Sequence, residues 1–427
     1  MELLERLALT PLPQQLPLAE ALIGLLTLLV LAFGGVLLVS AACALVTQGW
    51  RRPVAQRLID LVAAAPANWF IFGLLPLAAL LFLFGQTLRG ADVAIGLYLL
   101  RVGILFVLAF VLLAAYQRTL RPLFGLPGLL LLLGGSFHLL ATLTFLIYPE
   151  KWPLMSLPVP FLFSIQAVLQ FKLFVTCALV LTGALILVAY FRWPERPAFD
   201  DEDDAVRVQR FGFGLALAGA LAMAPLLIWD LYAAPLQALA PDVFRAAAVM
   251  LALLLVAALL AAAMMRHQHA RYGGLLLALA LGLLGLFTYQ GRAMHHHAAR
   301  EVLTRVADEA GEEYDLLVSA QEEQYQAGPP DAQLGEEIFD QKCTSCHAFD
   351  RVVVGPPYNE TVPKYANDPI ALAEYILAPQ RINPEYPPMP DQGLKPREAR
   401  SAALFLLQQV VGDIEASAFT GEEGGAQ

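Results

Sequence analysis

Long apolar runs recur through the first 290 of this chain's 427 residues, and they constrain its fold more than any other feature. A helix needs about 20 consecutive apolar residues to cross a bilayer. The runs predict eight membrane-spanning helices, at 18–48, 67–88, 93–117, 126–148, 159–192, 208–233, 243–265 and 271–290. Only 15% of the residues are charged, against about 25% in soluble domains, so most of the chain is predicted to face lipid.

Arginines in the connections between these runs predict the orientation. The first, third, fifth and seventh connections hold Arg51, Arg52, Arg57, Arg118, Arg121, Arg192, Arg196, Arg207, Arg210, Arg266 and Arg271. The even connections hold only Arg89, Lys151 and Arg245. Because cytoplasmic loops accumulate Lys and Arg, the odd connections are predicted to be cytoplasmic. We therefore expect a multi-pass protein of the bacterial inner (cytoplasmic) membrane, with its N-terminus and everything after residue 290 on the periplasmic side.

The distribution of charge predicts two parts in different solvents. Residues 1–300 include 14 acidic and 19 basic residues, whereas residues 301–427 include 23 acidic and 8 basic ones. The sequence has no basic stripe with interleaved aromatics, which argues against nucleic-acid binding. We predict an all-α protein with four parts: a transmembrane helical domain at 1–292, an exported helix and linker at 293–333, a small exported helical domain at 334–412 and a disordered tail at 413–427.

The stretch "QKCTSCHAFD" (341–350) contains the only closely spaced cysteine pair, Cys343 and Cys346, followed by His347. A zinc site needs four ligands, and no second Cys/His pair follows. A thioredoxin-like disulfide needs a βαβ context, whereas the flanking sequence is helical and proline-rich. Covalent haem attachment uses all three residues, because the thiols add to the porphyrin vinyl groups and the histidine ligates the iron. Attachment requires the exported side, where the arginines place this segment, so we expect one covalent haem c.

Residues around this motif resemble a class I cytochrome c. The stretch "GEEIFDQKCTSCH" has a glycine and an aromatic ahead of the motif, Gly335 and Phe339, as that family does. The stretch "VVVGPPY" supplies a Gly-Pro pair, Gly355 and Pro356. The stretch "EYPPMPDQGL" supplies Met389, the only methionine after Met294. The resemblance covers residues 334–412 and does not extend to the membrane part.

This resemblance implies a helical domain whose C-terminal helix, "PREARSAALFLLQQV", approaches Gly335 closely. It also implies that the Pro356 carbonyl accepts a hydrogen bond from the ring N–H of His347. Met389 is implied as the sixth iron ligand, which raises the reduction potential and makes the domain an electron carrier. The implied cofactor-binding residues are Cys343, Cys346, His347, Pro356 and Met389, with His347 and Met389 on the metal.

Histidines in the membrane part are too few for paired haems b. Only His138 lies inside a predicted span, whereas His267 and His269 fall in a cytoplasmic loop and 295–297 follow the last span. Counting therefore excludes two bis-histidine haems. A single haem b would need a methionine or an outer histidine opposite His138. We favour a membrane part without haem b and keep a single haem b as the alternative.

Ionisable residues in the spans leave two interpretations open. His138 and Lys172 are expected near mid-bilayer, where such groups usually face other helices. They belong either to a proton relay or quinone contact or, as we favour, to helix–helix hydrogen bonds with Gln166 or Gln170. Nearer the exported face, either a quinol pocket or snorkelling and mutual salt bridges would account for three further residues, Glu20, Arg101 and Asp230.

Together these features predict a membrane-anchored mono-haem c-type cytochrome that carries single electrons in a respiratory or photosynthetic chain, as a subunit of a larger quinol-linked complex. Its partners would be the membrane, other complex subunits or redox proteins, and quinol. The alternative is a redox enzyme whose membrane domain oxidises quinol, or another reductant, and passes the electrons to its own haem c; we favour the electron-transfer subunit. The plan is distantly similar to membrane-bound urate oxidases and to the cytochrome bd large subunit. The spans lack the histidine-rich pattern of the former and the "GRQPW" run of the latter.

Overall fold

The computed structural model describes residues 16–63, 65–88, 95–156, 164–191, 199 and 201–419. Helices are the only regular secondary structure in these residues. Packing divides the chain into two compact units, Met1–Gly311 and Glu312–Gln427, which are described in turn. Of the arginines used to predict the orientation, Arg89, Arg192 and Arg196 lie outside the described residues.

The first unit contains eight helices that are long and apolar enough to cross a membrane, as predicted, counted over the described residues. With a shorter helix α2 after the first, they are α1 (Leu16–Thr47), α2 (Arg52–Ala63), α3 (Leu75–Thr87, preceded by the π-type turn Trp69–Leu74), α4 (Ile95–Thr119), α5 (Pro122–Phe145), α6 (Ile165–Phe191), α7 (Glu202–Ala233), α8 (Pro241–His267) and α9 (Gly273–Ala327). Their buried apolar side chains form an extensive core. Helix α9 continues past residue 290, where the last span was predicted to end, and only its residues up to Gly311 belong to this unit.

Helix α2 occupies a connection that was predicted to be a loop. Its apolar residues recur at three- and four-residue spacing, and Leu58 and Ile59 are fully buried. On its polar side, the Gln56 amide donates to the Asp60 carboxylate at 3.1 and 3.0 Å. The Gln117 amide of α4 donates to the same carboxylate at 2.8 Å. These bonds attach α2 to the end of α4, so this connection is a packed part of the unit.

The second unit contains α10 (Ala332–Ile338), α11 (Tyr358–Thr361), α12 (Pro369–Leu377) and α13 (Pro396–Val410). A β-carbon on Gly335 in α10 would clash with the Ser401 carbonyl oxygen and would lie 2.7 Å from the β-carbon of Phe405, both in α13. This contact confirms the predicted close approach of the C-terminal helix to Gly335. Phe419 is 3% exposed and packs in the same core, so ordered structure continues beyond the predicted domain end at 412.

Two arginines of α13 hold the segment between α9 and α10. The backbone N–H of Arg397 donates to Gln326 Oε1 at 2.9 Å, and its guanidinium donates to the Pro329 carbonyl at 3.0 Å. The Arg400 guanidinium donates to the carbonyls of Gln326 and Gly328. Helix α9 thus ends just before the Gly-Pro-Pro stretch at 328–330, and the residues beside this stretch are tied to the C-terminal helix.

Candidate haem-binding site

The cysteine motif lies where α10 passes into a π-type turn, Phe339–Cys343. The backbone N–H groups of Cys346 and His347 donate to the Cys343 carbonyl at 3.1 and 3.0 Å, which folds the motif into one turn. Cys343 is buried, Cys346 is partly exposed, and both are free thiols. The three side chains that covalent haem attachment requires therefore come from a single turn.

The loop after the motif folds back onto it. The backbone N–H of Gly355 donates to the Cys346 carbonyl at 2.9 Å. This closure places the Pro356 carbonyl oxygen 3.0 Å from Nδ1 of His347. Because a carbonyl can only accept, Nδ1 carries the proton in this contact, and Nε2 keeps the lone pair that a metal would bind. The backbone of this loop thus sets the tautomer and the orientation of the imidazole.

Gly355 leaves the space that the imidazole occupies. A β-carbon at this position would clash with Cε1 of His347 and would lie 2.8 Å from both ring nitrogens. Any larger residue would therefore have to displace the ring, and glycine is the residue that permits such a close backbone approach. The ring of His347 is held between this glycine and the Pro356 carbonyl.

Aromatic rings form the other walls of the site. The Tyr358 ring stacks on the His347 ring, with centroids 4.9 Å apart and planes inclined by 25°. Phe339 packs against Phe405 with centroids 5.4 Å apart, which joins the site to the core of the unit. Burial raises the pKa of Tyr358 above its usual range, so the hydroxyl stays protonated and can donate to the Cys343 sulfur. The surroundings of the motif are thus apolar, as a porphyrin requires.

Met389 lies half-buried in the segment between α12 and α13. Two turns shape this segment: Asn383 Oδ1 accepts from the N–H of Glu385 at 3.0 Å, and Asp391 Oδ1 accepts from the N–H of Gly393 at 2.8 Å. Gly393 has a φ of 63°, a left-handed conformation that glycine adopts without strain. One turn precedes the methionine and the other follows it. The role of Met389 as sixth ligand stays a prediction.

The residues present fit a c-type haem. Two thiols, an imidazole with Nε2 available and a thioether are the groups that such a haem takes. A zinc site has no ligand set in the described part of the chain, where no group of three or more His, Cys, Asp or Glu residues could hold a metal. Cys343 and Cys346 would bind the porphyrin, and His347 and Met389 would ligate the iron. A haem held in this way supplies one-electron transfer.

In the first unit, the structure corrects the expected partners of the buried polar residues. The side-chain amides of Gln166 and Gln170 in α6 donate to the Asp230 carboxylate of α7 at 2.6 and 2.8 Å. The favoured prediction for His138 and Lys172 is therefore wrong. His138 stacks on an aromatic ring of α4, and Lys172 is exposed. The buried carboxylate, and not the histidine, takes the glutamine hydrogen bonds.

The residues expected near the exported face are not all brought together. Glu20 lies 3.2 Å from Nδ1 of His296 and 3.9 Å from the Arg292 guanidinium. Arg101 lies instead over the Tyr98 ring, 5.5 Å from its centroid. Arg292 was not singled out from the sequence, although its position just beyond the predicted end of the last span could have drawn attention to it. A cluster of Glu20, Arg292 and His296 replaces the predicted set.

Comparison with known proteins supports the haem site. Cytochrome c-551 of Azotobacter vinelandii is 40% identical over 77 residues, and cytochrome c-551 of Pseudomonas denitrificans is 32% identical over 77 residues. Each match covers 94% of the relative and 17% of this chain. No protein-family model and no solved structure matches the chain. The relatives imply a covalent haem c and leave the membrane part unrecognised. Through this one region, the chain belongs to the cytochrome c-551 family of class I cytochromes c.

Proposed function

We propose that this protein is a membrane-anchored mono-haem c-type cytochrome that carries single electrons in a respiratory or photosynthetic chain. The observation that carries the proposal is the His347 site. The Pro356 carbonyl lies 3.0 Å from Nδ1, Gly355 leaves the ring its place, and the cysteine pair precedes it in the same turn. These are the parts that hold a covalently attached, histidine-ligated haem. The single C-x-x-C-H in the sequence supports one such haem.

A carrier role follows from the proposed axial ligands. If His347 and Met389 both ligated the iron, they would leave no coordination position open for oxygen or a substrate. The iron would then only gain or lose one electron. Electron transfer is therefore the activity that this donor set supports best.

Eight helices long and apolar enough to cross a membrane support the anchoring of this carrier, and the loop arginines support a periplasmic haem. We assign the chain to a larger quinol-linked complex of the inner membrane, in which the spans also dock other subunits. The acidic character of residues 301–427 favours a redox partner with a basic docking face, through steering of the encounter.

A pyridine haemochrome spectrum of the purified full-length chain tests the proposal. One haem c per chain is expected, and none or more than one would contradict it. Met389→Ala should lose the methionine ligand and lower the reduction potential by about 120 mV or more, which is a hundredfold change at 59 mV per tenfold. Ile382→Ala, an exposed residue of the same segment, is the control and should leave the potential unchanged. An unchanged potential in Met389→Ala would remove this residue from the iron.

A second candidate function is the oxidation of quinol by the membrane part itself, with the electrons passed to its own haem c. The contact of Glu20 with His296 and Arg292 favours it, because it places acid–base groups at one end of the helix bundle. A haem b band in the reduced-minus-oxidised spectrum, or quinol turnover by the single purified chain, would favour this function over that of a carrier alone.

A further inference from the structure

A cleft of about 110 Å³ opens between five helices of the first unit, α1, α3, α5, α6 and α9. The lining residues come from the first half of α1, the start of α6, the last turns of α3 and α5, and the stretch 287–303 of α9. Helices that run in opposite directions thus meet at one end of the bundle: α1 and α6 line the cleft near their first residues, and α3 and α5 near their last. It is the end at which α9 leaves the predicted membrane region, so the cleft lies near the predicted exported face.

Ionisable side chains gather on one side of this cleft. Glu20 Oε1 lies 3.2 Å from Nδ1 of His296, and Glu20 Oε2 lies 3.9 Å from the Arg292 guanidinium. Thr288, Arg292 and His295 follow one another at spacings of four and three residues, which places them on one face of α9. All five of these residues line the cleft.

His295 lines the cleft, and one of its ring nitrogens is unpaired. Its Nε2 is inaccessible to solvent and has no hydrogen-bond partner within the described part of the chain. Buried polar atoms are almost always paired, so an orphaned one at a cavity wall marks a place for a ligand atom. Its neighbour His297 does not line the cleft and instead contacts the Asp242 carboxylate at 2.9 Å.

The position of Arg292 is prepared by a glycine of the facing helix. A β-carbon on Gly24 would lie 2.5 Å from Nη1 and 2.7 Å from Cδ of Arg292. The guanidinium therefore lies in the notch that this glycine leaves on α1, beside Glu20. Because the obstructing atoms belong to the flexible end of a side chain, a methyl group at Gly24 would move Arg292 and leave the helices in place.

A second polar group lies on another wall. Gln170 of α6 lines the cleft, and its side-chain amide donates to the buried Asp230 carboxylate at 2.8 Å. Most of the remaining lining is apolar and includes Phe84 of α3, Phe287 of α9 and Leu140 of α5. The cleft thus combines hydrogen-bonding groups on separate walls with a hydrophobic surface suited to a flat ring.

This combination selects the class of ligand. A phospholipid phosphate would favour several cations, whereas here Arg292 is accompanied by the Glu20 carboxylate. A water-soluble substrate would not match the leucines and phenylalanines. A lipid-soluble ring with an oxygen on each of two opposite edges matches both the separated polar groups and the apolar walls.

We propose that this cleft binds the head group of a membrane quinol, with one hydroxyl on Nε2 of His295 and the other toward Gln170. The inference rests on the second candidate function above and names the site at which the quinol would be oxidised. Oxidation of one quinol to quinone releases two protons and two electrons. A haem c held at His347 would take up these electrons one at a time, and a one-electron oxidant of the exported compartment would remove each one before the next arrives. His295 accepts the proton of the hydroxyl that it binds and passes it to the adjacent Glu20–His296 pair. The proton of the other hydroxyl leaves to water through the open side of the cleft.

Photolabelling of the full-length chain in nanodiscs tests the binding site. The probe is an azido-ubiquinone with a short apolar tail, and decylubiquinone competes with it. Label on peptides that contain residues 20–31 or 287–303, lost on competition, is the expected result. Label confined to other spans, or label that decylubiquinone does not compete away, would overturn the proposal. A menaquinone analogue used as competitor in a second arm identifies which ring the cleft prefers.

Two variants and a control test the assigned residues. His295→Leu should weaken competition by decylubiquinone about tenfold, the loss of one hydrogen bond in a buried site. Gly24→Ala should weaken the competition several-fold by displacing Arg292. This variant replaces His295→Leu in the test if His295→Leu does not fold. His297→Leu changes the neighbouring histidine outside the cleft and should bind as the unaltered chain does. Equal affinities for all four proteins would refute the assignment.

Haem reduction separates this inference from the proposed function. Anaerobic decylubiquinol should reduce the haem c of the unaltered chain and should do so at least tenfold more slowly in His295→Leu, with His297→Leu unaffected. A chain with one normal haem c that neither binds nor is reduced by quinol would refute the cleft and keep the carrier. A chain without haem c that still takes the label would refute the carrier and keep the cleft.

Discussion

Replacing Gly355 by alanine should raise the reduction potential of the haem. The added methyl group would clash with Cε1 of His347 and lie 2.8 Å from both ring nitrogens, so the ring must turn or shift. The movement lengthens the 3.0 Å contact between Nδ1 and the Pro356 carbonyl. That hydrogen bond makes the imidazole a stronger donor to iron, which favours the ferric state. Its weakening therefore favours the ferrous state.

The size of the shift follows from the strength of the bond. A typical hydrogen bond contributes about 0.5–1.5 kcal/mol net. If only the ferric state loses this stabilisation, the conversion of 59 mV per tenfold, or per about 1.4 kcal/mol, gives an increase of about 20–60 mV. The Pro356 carbonyl belongs to the backbone and cannot be removed by substitution, so Gly355 is the position at which this contact can be perturbed.

Spectroelectrochemical titration of the full-length chain in detergent measures the potential. Val353→Ala, two residues earlier in the same exposed loop, is the control and should shift the potential by less than about 10 mV. A Gly355→Ala protein with an unchanged potential and intact methionine ligation would refute the role of this contact. A lowered potential would refute the sign of the argument.

Three further substitutions test the packing. Gly335→Ala should destabilise the second unit by about 1–3 kcal/mol, because the added methyl group forces α10 and α13 apart. Chemical unfolding followed by haem absorbance measures the loss, and Glu336→Ala, at an exposed position, is the control. Arg400→Met should speed proteolysis within 326–331, since two carbonyl contacts are lost, and Arg351→Met on the surface should not. Asp230→Leu should destabilise the first unit by about 1–4 kcal/mol, because it leaves the buried Gln166 amide and the partly buried Gln170 amide without their acceptor; an unchanged melting temperature would contradict it.

The number and places of the long apolar helices could be predicted because length and apolarity alone define them. Helix α2 was missed because it is only 12 residues long, too short for a span, and because polar residues such as Gln56 and Asp60 are typical of a loop. The spacing of its buried residues, among them Leu58 and Ile59, was present in the sequence and could have identified it.

Local chemistry was more predictable than contacts between helices. The proximity of Pro356 to His347 could be anticipated because only nine positions separate them and the family pattern was visible. The contact of Glu20 with His296 joins residues 276 positions apart, and it depends on which helix faces which. The same reason explains the wrong partners expected for Gln166 and Gln170, since the apolar pattern of a buried span does not say which side faces a given neighbour.

The two arginines of α13 also constrain the segment that precedes the haem-binding motif. Arg397 and Arg400 hold the residues beside the Gly-Pro-Pro stretch, so within the second unit this segment is not a flexible linker. On the proposed function, a haem bound at His347 would therefore move together with residues 312–327 of α9, and not on a tether of its own.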